Sequence, residues 1–234
     1  RSTMSRIATK RSILGKALLK MKANTKLDQW GQLAVDQFSE VVQMLPDESD
    51  AHNDYGWALA QNGKLRKAKS HLEKAIEIDA TKSRYYANLG YVLDNLGDFH
   101  NAVQSYQSAL AVEDDNPQVH YLLGNLHFGQ KQYNEALKYF LRAIELQQNY
   151  AAAENKLGAI YALHGDIKTA VRHYKRACDL APNFATAHHH LGVVLANQGK
   201  MAAAVKYLQQ AVDLDPGNEQ AANQLKLARE LLKK

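Results

Sequence analysis

Apolar and small residues recur along this chain in a long, regular pattern. Five pairs of leucine or tyrosine followed by glycine stand 34 residues apart, at Tyr55–Gly56, Leu89–Gly90, Leu123–Gly124, Leu157–Gly158 and Leu191–Gly192. Around each pair the apolar positions follow helical spacing, so every unit predicts two helices joined by a turn. One such hairpin cannot bury its apolar face alone, and the pattern therefore predicts that the hairpins stack on one another.

The second helix of each unit carries small and large residues at constant positions. An alanine stands twelve residues after each glycine, and four residues later comes a bulky side chain: Leu72, Tyr106, Phe140, Tyr174 or Leu208. Glycine and alanine allow the two helices of a hairpin to approach closely, and we expect the bulky residues to fill the space beside them. Glycine also marks the turn in four units, whereas the third unit has Gln130–Lys131 there.

These positions resemble the tetratricopeptide repeat (TPR) family. The match divides the chain into five units, at residues 49–82, 83–116, 117–150, 151–184 and 185–218. The resemblance implies an all-α fold, a right-handed α-solenoid of stacked helix-turn-helix units with a C-terminal capping helix. The matched residues are packing positions, so they predict the fold more strongly than they predict a function.

Both ends of the repeat region are predicted to close the stack. The cap is expected at residues 219–234, where four apolar residues share one helical stripe: Ala222, Leu225, Ala228 and Leu232. Lys226 occupies the glycine position there, so no partner helix is expected to follow. Residues 15–48 predict a degenerate unit, in which Met21–Lys22 stands where the other units have Leu–Gly.

The first 26 residues are strongly basic. They contain eight of the 29 lysines and arginines and no acid, whereas the other 208 residues carry 21 bases against 24 acids. The net charge of +5 therefore belongs to the N-terminal segment, which argues against a nucleic-acid face across the whole chain. We interpret residues 1–3, which precede Met4, as a vector remnant, and residues 4–26 as a basic amphipathic segment.

Two roles are open for this basic segment. It carries an apolar stripe surrounded by bases: Ile7, Leu14, Leu18 and Met21. Such a helix suits an anionic membrane surface or a docking partner. Alternatively, the stripe packs on the unit at 15–48 and the bases are solvated. Proteolysis near Lys22–Lys26 would distinguish a mobile arm from a packed cap.

Composition excludes several classes of protein. The single cysteine, Cys178, cannot form an internal disulfide, which excludes a disulfide-stapled scaffold. The sequence has no run of 18 apolar residues and no apolar core of a secretory signal. We therefore expect a cytoplasmic protein, with a peripheral membrane location as the alternative.

In the TPR family the first helix of each unit lines the concave face, and by that resemblance fourteen residues point into a groove. They are Asn53, Trp57, Arg84, Asn88, Tyr91, Asn95, Tyr121, Asn125, Phe128, Asn155, Lys156, His189, His190 and Asn197. Asparagine amides pair with peptide bonds, and aromatic rings supply contact area at low entropic cost. The set predicts a groove for a peptide or a partner helix, against the alternative of a solvated repeat surface.

The carboxylate clamp by which some TPR domains hold a partner's C-terminus is not predicted. Asn88 fits the middle position of such a clamp. However, Asn53 and Trp57 precede it, and Gln118 and Leu122 follow it, so the flanking cations are missing.

No metal, cofactor or catalytic residue is predicted. Consecutive helical residues point about 100° apart, so His188, His189 and His190 cannot converge on one ion. The sequence has no phosphate-binding loop or nucleophile motif, and Cys178 is interpreted as structural. His190 and its neighbours are expected to titrate near neutral pH and to make binding pH-sensitive.

The sequence therefore predicts a non-catalytic scaffold or adaptor that binds a peptide or protein segment in the concave groove. Two alternatives remain. One is a self-assembling scaffold, in which the degenerate unit or the cap helix docks into a neighbouring copy. The other is an adaptor recruited to a membrane by the basic segment.

Overall fold

In the computed structural model, which describes residues 3–25 and 28–233, the chain is helical throughout. The helices of this part are α1 Thr3–Thr25, α2 Asp28–Met44, α3 Ser49–Gln61, α4 Leu65–Ile78, α5 Ser83–Asn95, α6 Phe99–Val112, α7 Pro117–Gly129, α8 Tyr133–Leu146, α9 Ala151–Leu163, α10 Ile167–Leu180, α11 Ala185–Asn197, α12 Met201–Leu214 and α13 Glu219–Leu232. They confirm the predicted all-α repeat fold. Arg1 and Ser2 of the predicted vector remnant, and Lys26, lie outside the described residues.

The described residues form two compact units, each holding several repeats: a first unit up to Leu122 and a second unit from Leu123 onward. The 34-residue units of the sequence are called repeats from here on. Successive helices pack on one another from α1 to α6 and from α8 to α13. Helix α7 packs on α8, where Gly124 faces the ring of Phe140. First helices also contact first helices, since α3 touches α1 and α5, and α11 touches α9 and α13. The first helices therefore form a row within each unit, and that row carries the candidate site.

A glycine against a bulky side chain sets the spacing of each hairpin. A Cβ added to Gly90 would lie 2.8 Å from ring carbons of Tyr106, and one added to Gly158 would lie 2.7 Å from ring carbons of Tyr174. Real Cβ atoms do not come so close, so a larger residue would force the helices apart. Tyr106 is fully buried as a result.

In each of the five full repeats, the turn of the hairpin uses the left-handed backbone conformation. Gly165 adopts it with φ of 79°, and Lys131 adopts it in the third repeat, residues 117–150, with φ of 59°. The backbone N–H of Gln132 then donates to the carbonyl of His127 at 2.9 Å, as helix-ending turns commonly do. The fold thus imposes the glycine geometry on a lysine.

The first hairpin departs from the register that the 34-residue spacing predicts. That spacing places Lys22 opposite Phe38, but the structure places Gly15 there, with its added Cβ 2.7 Å from the Phe38 ring. The difference is seven residues, or about two helical turns. Lys22 instead donates from Nζ to the carbonyl of Gln61 at 2.6 Å. The signal was present in the sequence, because Leu14–Gly15 is itself a Leu–Gly pair.

The predicted apolar stripe of α1 is mostly exposed, which argues against the alternative in which the stripe packs on the predicted unit at 15–48. Ile7, Leu14 and Met21 are 42%, 49% and 41% exposed, and only Leu18 of that stripe is buried. The buried contacts come from the neighbouring side of the helix, chiefly from Ala8 and Gly15. These small residues allow α1 to approach α2 closely, so the longer side chains remain outside.

The last helix covers the end of the second unit. Leu225 and Ala228 of α13 form a buried cluster with Leu208 of α12. Leu232, which the predicted stripe includes, is half-exposed near the end of the helix.

Candidate partner-binding surface

Side chains on neighbouring first helices are joined by pairs of polar residues that lie 35 positions apart. In the first unit Asn88 Nδ2 donates to Asn53 Oδ1 at 2.8 Å. In the second unit His190 Nδ1 donates to Asn155 Oδ1 at 3.0 Å, and His189 Nε2 donates to the side-chain oxygen of Gln224 at 2.6 Å. Each pair connects the fifth residue of one repeat to the sixth residue of the next.

These pairs correct part of the predicted groove. Asn53, Asn155 and His189 are only 2%, 4% and 7% exposed. Their polar atoms are engaged with the next repeat, so they serve as ties between first helices and not as open contacts for a partner. The sequence placed them on the correct helices but could not show that a neighbouring helix covers them.

The first unit presents an aromatic pair on the row of first helices. The rings of Trp57 on α3 and Tyr91 on α5 meet edge to face, with centroids 5.2 Å apart and an interplanar angle of 61°. Both side chains are half-buried, so part of each ring faces solvent. Asn95 is exposed, and its amide donates to the carbonyl of Tyr91 within the same helix. Tyr121, on α7, is also half-buried.

Charges in the first unit are mostly paired. Asp50 accepts hydrogen bonds from Arg84 and from the hydroxyl of Tyr85. Burial alone would raise the pKa of Asp50, but these hydrogen bonds outweigh it and lower that pKa. Asp54 pairs with Lys16 of α1 at 2.8 Å. Asp94 is half-buried, and burial raises its pKa.

The second unit presents a cation on an aromatic ring. Lys156 Nζ lies 4.9 Å from the ring centroid of Phe128, and burial lowers the pKa of this lysine. Asn125 is half-buried with its side-chain oxygen fully covered, and Asn197 is exposed. The open residues of this surface are thus Phe128, Lys156 and Asn197, beside the tied pair of Asn155 and His190.

His190 does not titrate near neutral pH as expected. Burial lowers its pKa to about 4, and the nearby positive charges of His189 and Lys156 act in the same direction. His190 is therefore neutral between pH 6 and 8, and it cannot make binding pH-sensitive there. Composition alone could not reveal this, because the shift arises from burial of the His190 ring, which contacts Asn155 of α9 and Tyr174 of α10.

The three consecutive histidines point to three different partners. His188 Nε2 donates to the carbonyl of Pro182 at 2.9 Å, while His189 and His190 bind the side chains named above. Among the residues that the structure describes, no three His, Cys, Asp or Glu side chains are arranged to hold a metal ion.

A buried acid–histidine pair was missed in the sequence. Glu154 of α9 accepts a hydrogen bond from His173 Nδ1 of α10 at 2.6 Å, and Glu154 is buried. His52 and His71 occupy the same two places in the first full hairpin, 3.0 Å apart. Both pairs span 19 residues and join the two helices of one hairpin, so a comparison at that spacing could have found them.

The surroundings of the single cysteine disfavour a reactive thiol. Cys178 is buried, and burial raises the pKa of its thiol to about 11, so the reactive thiolate is scarce at neutral pH.

None of the described helices has the combined length and apolar character that crossing a bilayer requires.

Family comparisons match most of the repeat region. Models described as tetratricopeptide repeat match residues 49–82, 115–183 and 155–219, and a model described as TPR repeat matches residues 95–131. No curated protein matches the chain.

Several solved structures share the fold. YrrB, described as a TPR protein with an unusual peptide-binding site, is 24% identical with a TM-score of 0.63, over 81% of this chain and 97% of that one. The pilF protein of Pseudomonas aeruginosa is 22% identical with a TM-score of 0.74, over 79% and 84%. A chain of the APC/C hetero-tetramer Cut9–Hcn1 is 22% identical with a TM-score of 0.79, over 94% of this chain but only 42% of that one. At these identities the likeness establishes the fold alone.

Proposed function

Because the chain belongs to the tetratricopeptide repeat family, we propose that it is a non-catalytic adaptor that binds a peptide or protein segment along its first helices. The repeats and the structural neighbours support a protein-interaction scaffold in general. The peptide-binding site named for YrrB is a property of that protein, and it supports the proposal by analogy of fold.

The Trp57–Tyr91 pair carries the proposal. Two large rings on adjacent first helices remain partly open to water, although repeat packing does not require aromatic residues there. Trp and Tyr dominate the binding energy of protein interfaces because they bury large areas with little loss of rotamer entropy. The Asn53–Asn88 tie holds the two helices that bear the rings, so the pair is preorganised.

The absence of catalysis is part of the same proposal. Cys178 has a raised pKa, and the buried Glu154–His173 pair is engaged within one hairpin. These observations favour packing roles for the groups that would otherwise be candidates for acid, base or nucleophile.

A peptide-selection experiment tests the proposal. Random peptides displayed on phage are selected on the full chain, and the affinities of the winners are measured by fluorescence anisotropy. We expect Trp57→Ala with Tyr91→Ala to weaken binding at least about tenfold, as central interface aromatics do. Phe99→Ala removes an exposed ring from a second helix and should leave binding unchanged. Winners that bind the double variant as tightly as the wild type would refute the groove.

A second function, attachment to an anionic membrane surface, is supported by the outer face of α1. Three bases of this helix are exposed and make no ion pair with described residues: Arg6, Lys10 and Lys20. They lie beside the exposed side chains of Ile7, Leu14 and Met21. The other bases of α1 are used internally, as Arg11 pairs with Glu40 at 2.7 Å. Bases beside apolar side chains suit the headgroup boundary of an anionic bilayer.

Vesicle co-sedimentation tests this second function. We expect the full chain to sediment with phosphatidylcholine vesicles that contain phosphatidylserine, and not with phosphatidylcholine alone. Replacing Arg6, Lys10 and Lys20 with glutamine should lower the affinity by about fivefold per charge at low salt. The control replaces three exposed bases of α10 with glutamine: Lys168, Arg172 and Lys175. Equal loss in both triple variants would show a net-charge effect and exclude an α1 site.

A further inference from the structure

We propose that Asp94, together with the Trp57–Tyr91 pair, forms a site for an arginine side chain of the bound segment. This inference rests on the proposed groove function and names the chemistry that one part of the groove recognises. It follows from a carboxylate and two aromatic rings for which the described residues supply no cation.

The carboxylate of Asp94 is unusual among the acids of this surface. Asp50 is paired with Arg84, and Asp54 is paired with Lys16. Asp94 is half-buried, and its carboxylate makes no hydrogen bond or ion pair with any residue that the structure describes. Burial raises its pKa, and no neighbouring cation offsets that effect. A carboxylate that loses water without gaining a partner is stabilised when a ligand supplies the cation.

The repeat itself does not require an acid at this position. The equivalent residues of the other repeats are Ala60, Phe128, Ala162 and Ala196. Three of these four are alanine, so packing between the helices is satisfied by a methyl group. The acid therefore has a role that the shared fold does not explain.

A second unsatisfied polar group lies beside Asp94. The ring of Tyr106 packs on Gly90, one helical turn before Asp94 on α5. Tyr106 is fully buried, and its hydroxyl has no hydrogen-bond partner in the described structure. The pKa of Tyr106 is raised first by burial and then by the negative charge of Asp94, so its hydroxyl stays protonated. This hydroxyl is covered, so the polar group that stays open to a ligand at this place is the carboxylate of Asp94.

The aromatic pair provides the remaining wall. Tyr91 lies three residues before Asp94 on the same face of α5, and Trp57 meets Tyr91 from α3. Cations bind over Trp and Tyr faces, and a planar guanidinium also stacks on them and bonds a carboxylate with two N–H groups. In the second unit Lys156 already covers Phe128, so there the protein itself supplies the cation. In the first unit Arg84 lies over the ring of Tyr85, 5.3 Å from its centroid, but no cation among the described residues lies over Trp57 or Tyr91.

The test compares two small peptides that differ only in charge. One is acetyl-Ala-Ala-Arg-Ala-Ala-amide, and the other carries citrulline, a neutral isostere, in place of arginine. Both are titrated into the ¹⁵N-labelled full chain while the indole N–H signal of Trp57 is followed by NMR. The Trp30→Phe variant assigns that signal, because the chain has two tryptophans. We expect the arginine peptide to shift the Trp57 signal and to bind about tenfold more tightly than the citrulline peptide.

Substitutions locate the source of that preference. The Asp94→Asn and Asp94→Ala variants should each bind the two peptides with equal affinity. The alanine variant carries the residue that three other repeats have at this position. Glu113→Gln, which removes an exposed acid at the end of α6, should keep the preference. Far-UV circular dichroism confirms that each variant is folded.

The outcomes separate this inference from the groove itself. Equal affinity of the two peptides for the wild type, or a preference that survives Asp94→Ala, overturns the arginine site. So does the absence of any shift at Trp57. In each of these cases the groove proposal is judged separately, by whether the phage-selected peptides lose affinity for the Trp57/Tyr91 double variant.

Discussion

The tie between Asn155 and His190 gives the most direct test of how this surface is built. Asn155 is 4% exposed, and its side-chain oxygen accepts from His190 Nδ1 at 3.0 Å. Asn155→Ala removes the acceptor and leaves a half-buried N–H without a partner. Such a loss costs about 1–3 kcal/mol, and we expect about 2 kcal/mol because Asn155 is almost fully covered. A loss of this size lowers the Tm of a chain of this length by about 4–8 °C.

A double-mutant cycle isolates the bond from other effects. His190→Ala also removes the contact of its ring with Tyr174, whose centroid lies 5.4 Å away, so its own effect is larger than the bond. We expect a coupling energy of about 1 kcal/mol between Asn155→Ala and His190→Ala, in the range of a net protein hydrogen bond. Urea unfolding followed by far-UV circular dichroism measures the three variants. Hydrogen exchange of α9 and α11 peptides shows whether the loss is local, because repeat proteins unfold in segments.

Two results would refute this reasoning. Coupling below about 0.3 kcal/mol would show that the two side chains do not stabilise each other. A loss of selected-peptide affinity in Asn155→Ala as large as that in Trp57→Ala, without a loss of stability, would show that Asn155 contacts the partner and is not a tie.

Three further predictions concern stability. His190 has a folded pKa of about 4 against 6.5 for a free histidine, so the unfolded chain takes up the proton first as pH falls. The free energy of unfolding should therefore be unaffected by protonation of His190 above pH 6.5 and should fall by at most about 3 kcal/mol between pH 6.5 and 4. The His190→Asn variant should show a smaller decrease over this pH range. The control variant, His164→Gln at an exposed position, should keep the full decrease. Lys131→Gly should raise the free energy of unfolding by about 0.5–1 kcal/mol because it relieves a left-handed backbone, whereas Gly165→Ala, in open space, should lower it; equal and unchanged midpoints would contradict both. Gly15→Leu should cost about 1–3 kcal/mol in urea unfolding because its Cβ would lie 2.7 Å from a buried ring, and wild-type stability would disprove the α1 register.

The repeat pattern was sufficient to predict the fold class. The glycine and the bulky residue sixteen positions later meet in every full hairpin, as Gly90 and Tyr106 do. That contact is local to one hairpin, so its spacing along the chain is constant and visible. The same reasoning failed for α1, because it assumed a constant 34-residue period where the helix is longer. Gly15, in a Leu–Gly pair, was the better guide than the period.

The candidate site was predictable only in part. The pattern correctly assigned Trp57, Tyr91 and Lys156 to first helices, and the row of first helices within each unit follows from it. It did not show that Asn53 and Asn155 are covered, because their burial depends on a helix that lies 34 residues further along the chain.

The sequence pattern therefore determines the fold, whereas the surroundings of each side chain are decided by the tertiary structure. Helix formation, hairpin closure and the all-α repeat depend on contacts at short, repeating separations, and a linear pattern records such contacts directly. The exposure, hydrogen-bond partners and pKa of a side chain depend on which neighbouring helix excludes water from it. Residues of the same type therefore differ in these properties from one repeat to another. His190 becomes neutral, Asn155 becomes a tie, and Asp94 retains a carboxylate without a partner among the described residues, because solvent and partners are distributed by packing in three dimensions.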